Sequence, residues 1–217
     1  MKEYKGWYFP DSEEHFLEHL KQSNSSEYQK AQRYHSFNFL DHKRTAIDVG
    51  ANVGLWSKDI CKIFDEVKLF EPYRLNIECL KKNLENYQNF QIFECALSNK
   101  DGIGDLFIND KELGGISLAS PQGKFKTTST QLKKLDDFHF NNIDYIKIDV
   151  ERYELEVIEG GIMTLKNNNP VLCIEAPRRN KEELSYVKKI LTTLENLDYK
   201  IVGSLHKEIF LKKNLNR

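Results

Sequence analysis

Cysteine is scarce in this chain and never paired in a C-x-x-C pattern. Four cysteines, Cys61, Cys79, Cys95 and Cys173, occur in 217 residues. Each falls in an apparent helix or strand, so buried free thiols are expected rather than a disulfide framework. A reducing, cytoplasmic (cytosolic) compartment is the expectation that follows. Long apolar runs are also missing, so no segment reads as a membrane span, and the charged start MKEYKGWYFP does not read as a signal peptide. Neither sign of charge is in excess: 32 basic against 33 acidic residues leave a net charge of -1. That provides no broad basic field for nucleic acid, although local basic patches remain open. No internal repeat or low-complexity tract breaks the chain. What remains is length enough for one α/β domain with a sizeable core.

The pattern from residue 45 onward alternates strand and helix, the sign of a parallel sheet. Strands are predicted near 45–49, 66–71, 90–96, 143–149 and 170–175. Helices are predicted near 54–64, 74–87, 153–166 and 180–196. Residues 199–206 and 208–212 flank a short turn and read as a final antiparallel hairpin. Between 100 and 131 the helical pattern is lost, and Gly102, Gly104, Gly114, Gly115 and Gly123 punctuate an insertion of strands and loop. Residues 1–44 read as an N-terminal helical cap, with a helix starting near Pro10–Glu14, Ser12 as its cap, and a second helix over 27–40.

The sequence Ile47-Asp-Val-Gly-Ala-Asn-Val-Gly-Leu-Trp-Ser57 reads as a buried strand, a glycine turn and a helix start. Gly50 and Gly54 let the turn bend sharply and let a ligand lie against the backbone. In open α/β sheets, ligands sit outside the carboxyl ends of the strands, where this turn lies. The spacing is G-x-N-x-G, not the G-x-G-x-x-G of a dinucleotide site, so a pyrophosphate is disfavoured. An acid-led D-x-G-x-N-x-G turn suits a ligand with an ammonium group and a ribose, such as S-adenosylmethionine (SAM). Glu71 ends the next strand, about 20 residues past the first glycine, where a carboxylate meets a ribose diol in nucleotide-binding βαβ units. The plain alternatives are that Asp48 caps the helix start and that Glu71 is an exposed acid before Pro72. The two acids at this spacing favour the cofactor.

A second constellation is Asp144-Tyr-Ile-Lys-Ile-Asp-Val-Glu-Arg-Tyr-Glu154. Its strand ends near Asp149, which leaves that carboxylate at the ligand edge of the sheet. Lys147, inside an apolar strand, needs a partner if buried. Glu154 and Glu156 sit at a helix start, where dipole compensation accounts for them. The next strand ends in Glu175, so Asp149 and Glu175 are expected to face one cleft.

With these motifs the chain resembles the FkbM family of SAM-dependent methyltransferases. The residues that carry the resemblance are I-D-V-G-A-N-V-G-L-W-S at 47–57, F-E-P at 70–72, A-L-S at 96–98, I-K-I-D-V-E at 146–151 and E-L-E-V-I-E-G-G at 154–161. The fold it implies is a Rossmann-like class I methyltransferase: a mostly parallel seven-stranded sheet, a C-terminal antiparallel hairpin, and helices on both faces. The methyltransferase domain would span 45–217. The resemblance assigns Asp48, Gly50, Ala51, Asn52, Gly54, Glu71, Pro72, Ala96 and Leu97 to SAM. It also implies O-methylation of a hydroxyl on a sugar, polyketide or related metabolite. One departure is visible: the family pattern D-V-E-G has Arg152 in place of its glycine.

An alcohol acceptor is a weak nucleophile and needs a general base or a metal. In one scheme Asp149, with Lys147 beside it, or His206 takes the proton. In the other, Asp149 and Glu175 bind Mg²⁺ through oxygen ligands. Glu151, Arg152, Glu175 and Ser117 are candidates for the acceptor face, as are Gln29 and Arg33, four apart on one predicted helix. A small-molecule or glycan acceptor is expected. N-methylation, RNA 2′-O-methylation and a non-catalytic SAM-binding module are the competing readings. Balanced charge argues against RNA, and the retained Lys147, Asp149 and Glu151 favour an enzyme.

Overall fold

Alternating faces of the central strands build two separate cores. In the computed structural model, which describes residues 1–22, 27–108, 116–119, 125–177 and 180–213, seven strands form the main sheet. They are β3 (Thr45–Val49), β4 (Glu66–Phe70), β5 (Phe90–Phe93), β9 (Ile143–Ile148), β10 (Val171–Glu175), β11 (Tyr199–Leu205) and β12 (Glu208–Lys213). Their spatial order is β11-β12-β10-β9-β3-β4-β5. The pairs among β5, β4, β3, β9 and β10 are parallel, and β12 is antiparallel to both β10 and β11. The central strands are short and apolar on both sides, as a doubly covered parallel sheet requires.

On one face Ile47, Ile146, Ile148, Leu172 and Ile174 pack with Val157, Leu165, Val187, Ile190 and Leu194. These last come from α5 (Glu154–Glu159), α6 (Ile162–Asn168) and α7 (Lys181–Glu195), the last capped by the Asn180 side chain. On the other face Ala46, Leu69, Tyr145, Cys173 and Phe210 pack with Ile60, Leu80 and Leu84. Ile60 comes from α3 (Ser57–Ile63) and Leu80 from α4 (Arg74–Asn83), which Leu84 ends as the C-cap residue. Because the side-chain period is two, Asp48, Lys147, Glu175 and Glu208 fall on this second face. All four cysteines are free and buried, and among the described residues no helix is long and apolar enough to cross a membrane.

Several boundaries differ from the sequence reading. The N-terminus opens with a hairpin, β1 (Lys2–Tyr4) and β2 (Trp7–Phe9), before α1 (His15–Gln22) and α2 (Lys30–Phe37). Lys5 and Gly6 both have positive φ, the requirement of a two-residue I′ turn. Glu13, not Ser12, caps α1: its carboxylate accepts the Phe16 N–H at 2.7 Å. The strand expected over 90–96 stops at Phe93, because Ala96 and Leu97 (β6) find their backbone partner in β8 (Lys126–Lys133). With β7 (Gly102–Ile108), β6 and β8 make a separate three-stranded sheet. Gly114, Gly115 and Gly123 of the expected insertion lie outside the described residues. The helix expected over 153–166 divides at Gly160, where a Cβ would meet the Ser98 carbonyl oxygen at 1.9 Å.

Candidate active site

The glycine turn fixes the geometry of one half of the site. The Gly50 and Ala51 N–H groups both donate to the Phe70 carbonyl at 3.0 Å, tying the turn after β3 to the end of β4. Gly50 has φ +79°, and a Cβ there would lie 2.0 Å from the Asp149 carbonyl oxygen. No side chain fits, so β9 can approach the turn. Asn52 takes φ 51°, which asparagine tolerates better than most residues. Its N–H donates to Glu71 Oε2 at 2.8 Å, while the Tyr73 N–H donates to Oε1 at 2.9 Å. Burial pushes the Glu71 carboxyl up to about 7, against the pull of the hydrogen bonds from Tyr73, Asn52 and Asn76.

A cavity of about 360 Å³ opens at these strand ends. Gly50, Ala51, Asn52, Glu71, Pro72, Ala96 and Leu97 line it on one side, and Asp149, Glu151, Glu175 and Lys207 on the other. Phe16, Tyr28, Gln29, Trp56, Ile116 and Leu118 contribute further wall. Gln29 Oε1 accepts the Trp56 indole N–H at 2.7 Å, so the N-terminal segment holds the tryptophan in place. The Trp56 ring in turn covers the Lys147 ammonium at 5.5 Å.

Lys147 is the buried cation of the second half. Its Nζ lies 3.3 Å from Asp48 Oδ1 and 3.5 Å from Asp149 Oδ2. Burial works against its charge, but the two carboxylates hold its pKa above the ordinary value. Asp149 is 29% exposed by its side chain and faces the cavity. Glu175 pairs with Lys207 Nζ at 3.1 Å. Burial first, then the Asp149 charge, pushes the Glu151 and Glu175 carboxyls up. Burial also pushes Glu208 up to about 7. One oxygen each of Asp149, Glu151 and Glu175 lies within 4.8 Å of the other two.

Other candidates stand off the cavity wall. Asp48 is fully buried beneath the turn, accepting from Ser57 Oγ at 2.6 Å and pairing with Lys147. It acts on the cavity only through Lys147 and the helix start. Gly54 packs against Leu80. Arg33 turns inward to Asp59 at 2.9 Å and to the Tyr28 carbonyl. It does not share a helical face with Gln29, which precedes α2 with φ 50°. Arg152 pairs with Glu182 at the surface, with φ 73°. Ser117 is buried, its hydroxyl donating to the Glu151 carbonyl. His206 is exposed in the turn between β11 and β12, whereas its neighbour Lys207 reaches the cavity. Lys207 and Trp56 have no role in the sequence reading; only the position of Lys207 before the last strand, and the place of Trp56 in the 47–57 motif, hint at them.

The strand order, with its crossover between β3 and β9 and a cavity at their carboxyl ends, defines a class I methyltransferase fold. The model of the methyltransferase FkbM domain matches residues 48–201. The chain therefore belongs to the FkbM methyltransferase family. Its structure is similar to that of methyltransferase FkbM from Methylobacillus flagellatus KT, with a TM-score of 0.56, 19% identity, and 81% of this chain and 45% of that one covered. This chain thus spans less than half the length of that relative. A precorrin 8w decarboxylase from Methanobacterium thermoautotrophicum gives a TM-score of 0.56 at 12% identity, covering 98% of both chains. A candidate methyltransferase from Streptococcus mutans, solved in complex with SAH, gives 0.54 at 12% identity, covering 85% of this chain and 96% of that one. At these identities the likeness is one of fold. No curated protein sequence matches the chain.

Proposed function

We propose that the protein is a SAM-dependent O-methyltransferase that acts on a hydroxyl of a sugar or glycan. The observation that carries this reading is the Glu71 carboxylate, held by two backbone N–H groups beside the glycine turn and facing a cavity whose far wall is Asp149. Glu71 would accept from the ribose diol, and the backbone of Gly50, Ala51 and Asn52 would meet the amino-acid end. Pro72, Ala96 and Leu97 would wall the adenine. SAM supplies the electrophilic methyl group when bound. Asp149 would orient the acceptor hydroxyl and take its proton at a carboxylate oxygen, beside the Lys147 ammonium 3.5 Å away. The hairpin and helices of residues 1–44 would cap the cavity. The fit of the residues to the cofactor rests on the Glu71 carboxylate, anchored at the cavity wall by the Asn52 and Tyr73 N–H groups. Mg²⁺ on Asp149 and Glu175 is the competing scheme.

Transfer of labelled methyl from SAM to a panel of glycosides, amino glycosides and polyols tests the reading. Label in a hydroxyl-linked methyl is the expected result, and transfer only to RNA or protein would refute it. If chelation abolishes activity and Mg²⁺ restores it, the metal scheme holds; activity unchanged by EDTA leaves the Asp149 scheme.

A further inference from the structure

We propose that Asn76 is a recognition residue for the ribose of the cofactor: its amide oxygen accepts one hydroxyl of the diol while Glu71 accepts the other, so that the two side chains read the diol as a pair. This deepens the methyl-transfer reading and rests on it for the presence of an adenosyl ligand in the cavity.

Asn76 stands in the first turn of α4, 1% exposed, on the cavity wall with Glu71 and Pro72. Among the described residues its buried Oδ1 has no hydrogen-bond partner. A buried amide oxygen left unpaired is costly, and the same helix shows how such a residue is otherwise satisfied. Asn83, seven residues on and also buried, uses both ends of its amide. Its Nδ2 donates to the Tyr8 and Val53 carbonyls at 2.9 and 2.8 Å, and its Oδ1 accepts the Tyr8 N–H at 2.7 Å. Seven residues are close to two helical turns, so the two asparagines share a face of α4. Asn83 meets the N-terminal hairpin there, whereas Asn76 meets the cavity.

Structural duties do not account for Asn76. With no partner for Oδ1, it caps no backbone N–H of α4. Nor is it what holds Glu71. The Asn52 and Tyr73 N–H groups do that at 2.8 and 2.9 Å, while the Asn76 Nδ2 contact is 3.4 Å, at the long end for a hydrogen bond. That contact does set the orientation of the amide. A carboxylate only accepts, so Nδ2 is the end turned to Glu71, and Oδ1 on the same carbon is left for a donor. The hydroxyls of a ribose diol sit on adjacent carbons and supply two donors, which match two acceptor groups side by side. Phe16 and Leu55, on the same cavity wall, belong to one apolar cluster. They lower the local polarity, which strengthens a hydroxyl–amide bond.

Calorimetry on the full chain with SAH, its 2′-deoxy and 3′-deoxy analogues and S-inosylhomocysteine is the test. The wild type should bind SAH, and each deoxy analogue about tenfold or more weakly, since each leaves one acceptor unpaired. In Asn76→Ala the penalty for one deoxy analogue should shrink to within about threefold of SAH while the penalty for the other persists. A ligand-free melting temperature near that of the wild type reports that the variant is folded. Indifference of the wild type to either hydroxyl would overturn the proposal, and that arm needs no variant. Equal weakening of all the ligands in Asn76→Ala, with both deoxy penalties intact, would leave Asn76 a structural role only. Loss of discrimination against S-inosylhomocysteine, again with both deoxy penalties intact, would assign Oδ1 to the adenine amino group instead. Failure of the wild type to bind SAH is a different result: it removes the methyl-transfer reading, and the proposal with it.

Discussion

The two sides of the cavity are built by different means. On the side of β4 the cavity wall is one continuous stretch, residues 50–52, a single carboxylate held by backbone N–H groups, and Pro72, Ala96 and Leu97. On the side of β9 and β10 the wall is made of side chains brought from Asp149, Glu151, Glu175 and Lys207, with Tyr28 and Trp56 added from elsewhere. The first side is tied by main-chain hydrogen bonds from Gly50 and Ala51 to the Phe70 carbonyl. The second is held by ion pairs between groups that bury charge, which is stable only when each has a partner. Main-chain geometry can serve one cofactor in many proteins, whereas side-chain geometry can be redrawn for each acceptor.

The largest expected effect falls on the second side. Asp149→Asn should lower turnover on a confirmed acceptor by about 10²–10⁴-fold, the usual cost of losing a general base. Steady-state kinetics at saturating SAM measure it. Near-wild-type turnover would leave proximity alone as the mechanism. Next comes the turn itself. Gly50→Ala places a methyl against the Asp149 carbonyl at a positive φ and should destabilise the fold by about 3 kcal/mol or more, read by urea denaturation. A loss below about 1 kcal/mol would show that β9 and the turn are less tightly joined than the contact implies.

The difference between the sides also sets what the sequence reveals. The D-x-G-x-N-x-G turn and Glu71 are local, so spacing places them beside one another. The C-terminal hairpin and the parallel order of β3, β4, β5, β9 and β10 follow from the alternation of patterns. The far wall depends on which strands become neighbours and how side chains then pair. Asp48 illustrates this: its motif position suggests ligand contact, yet burial turns it to Lys147 and Ser57. Arg33 and Gln29 are four apart, but the left-handed backbone at Gln29 sends them different ways. The N-terminal hairpin does not show in the sequence pattern because its strands, Lys2–Tyr4 and Trp7–Phe9, are too short to display an alternation. Lys207 gave no signal beyond being one residue past His206.

The buried carboxyls predict a pH dependence. Glu208 and Glu154 rise from an ordinary 4.5 to about 7, each first through burial. Between those values the folded state binds more protons than the unfolded state, so stability falls as pH rises through about 7. Ligand-free protein should therefore melt at a higher temperature at pH 6 than at pH 8.5. Glu208→Gln should flatten that slope, and an unchanged slope would mean that Glu208 does not titrate in this range. The smallest effect belongs to Arg152, which holds φ 73° where the family pattern has glycine. Arg152→Gly should relieve the left-handed strain and stabilise the fold by about 0.5–1 kcal/mol, after allowing for the greater freedom of glycine when unfolded. Loss of stability in denaturation would indicate that the Glu182 ion pair outweighs the strain.

Calorimetric titration of SAH into the wild type, Glu71→Ala and Asp149→Asn tests most directly the claim that one side holds the cofactor and the other the acceptor. The account predicts that Glu71→Ala weakens SAH by about 1.5–3 kcal/mol, the worth of a charge-assisted hydrogen bond. Asp149→Asn should leave SAH affinity within about threefold, since no cofactor hydrogen bond is assigned to it. Equal weakening by the two substitutions, or no weakening by Glu71→Ala, would contradict it.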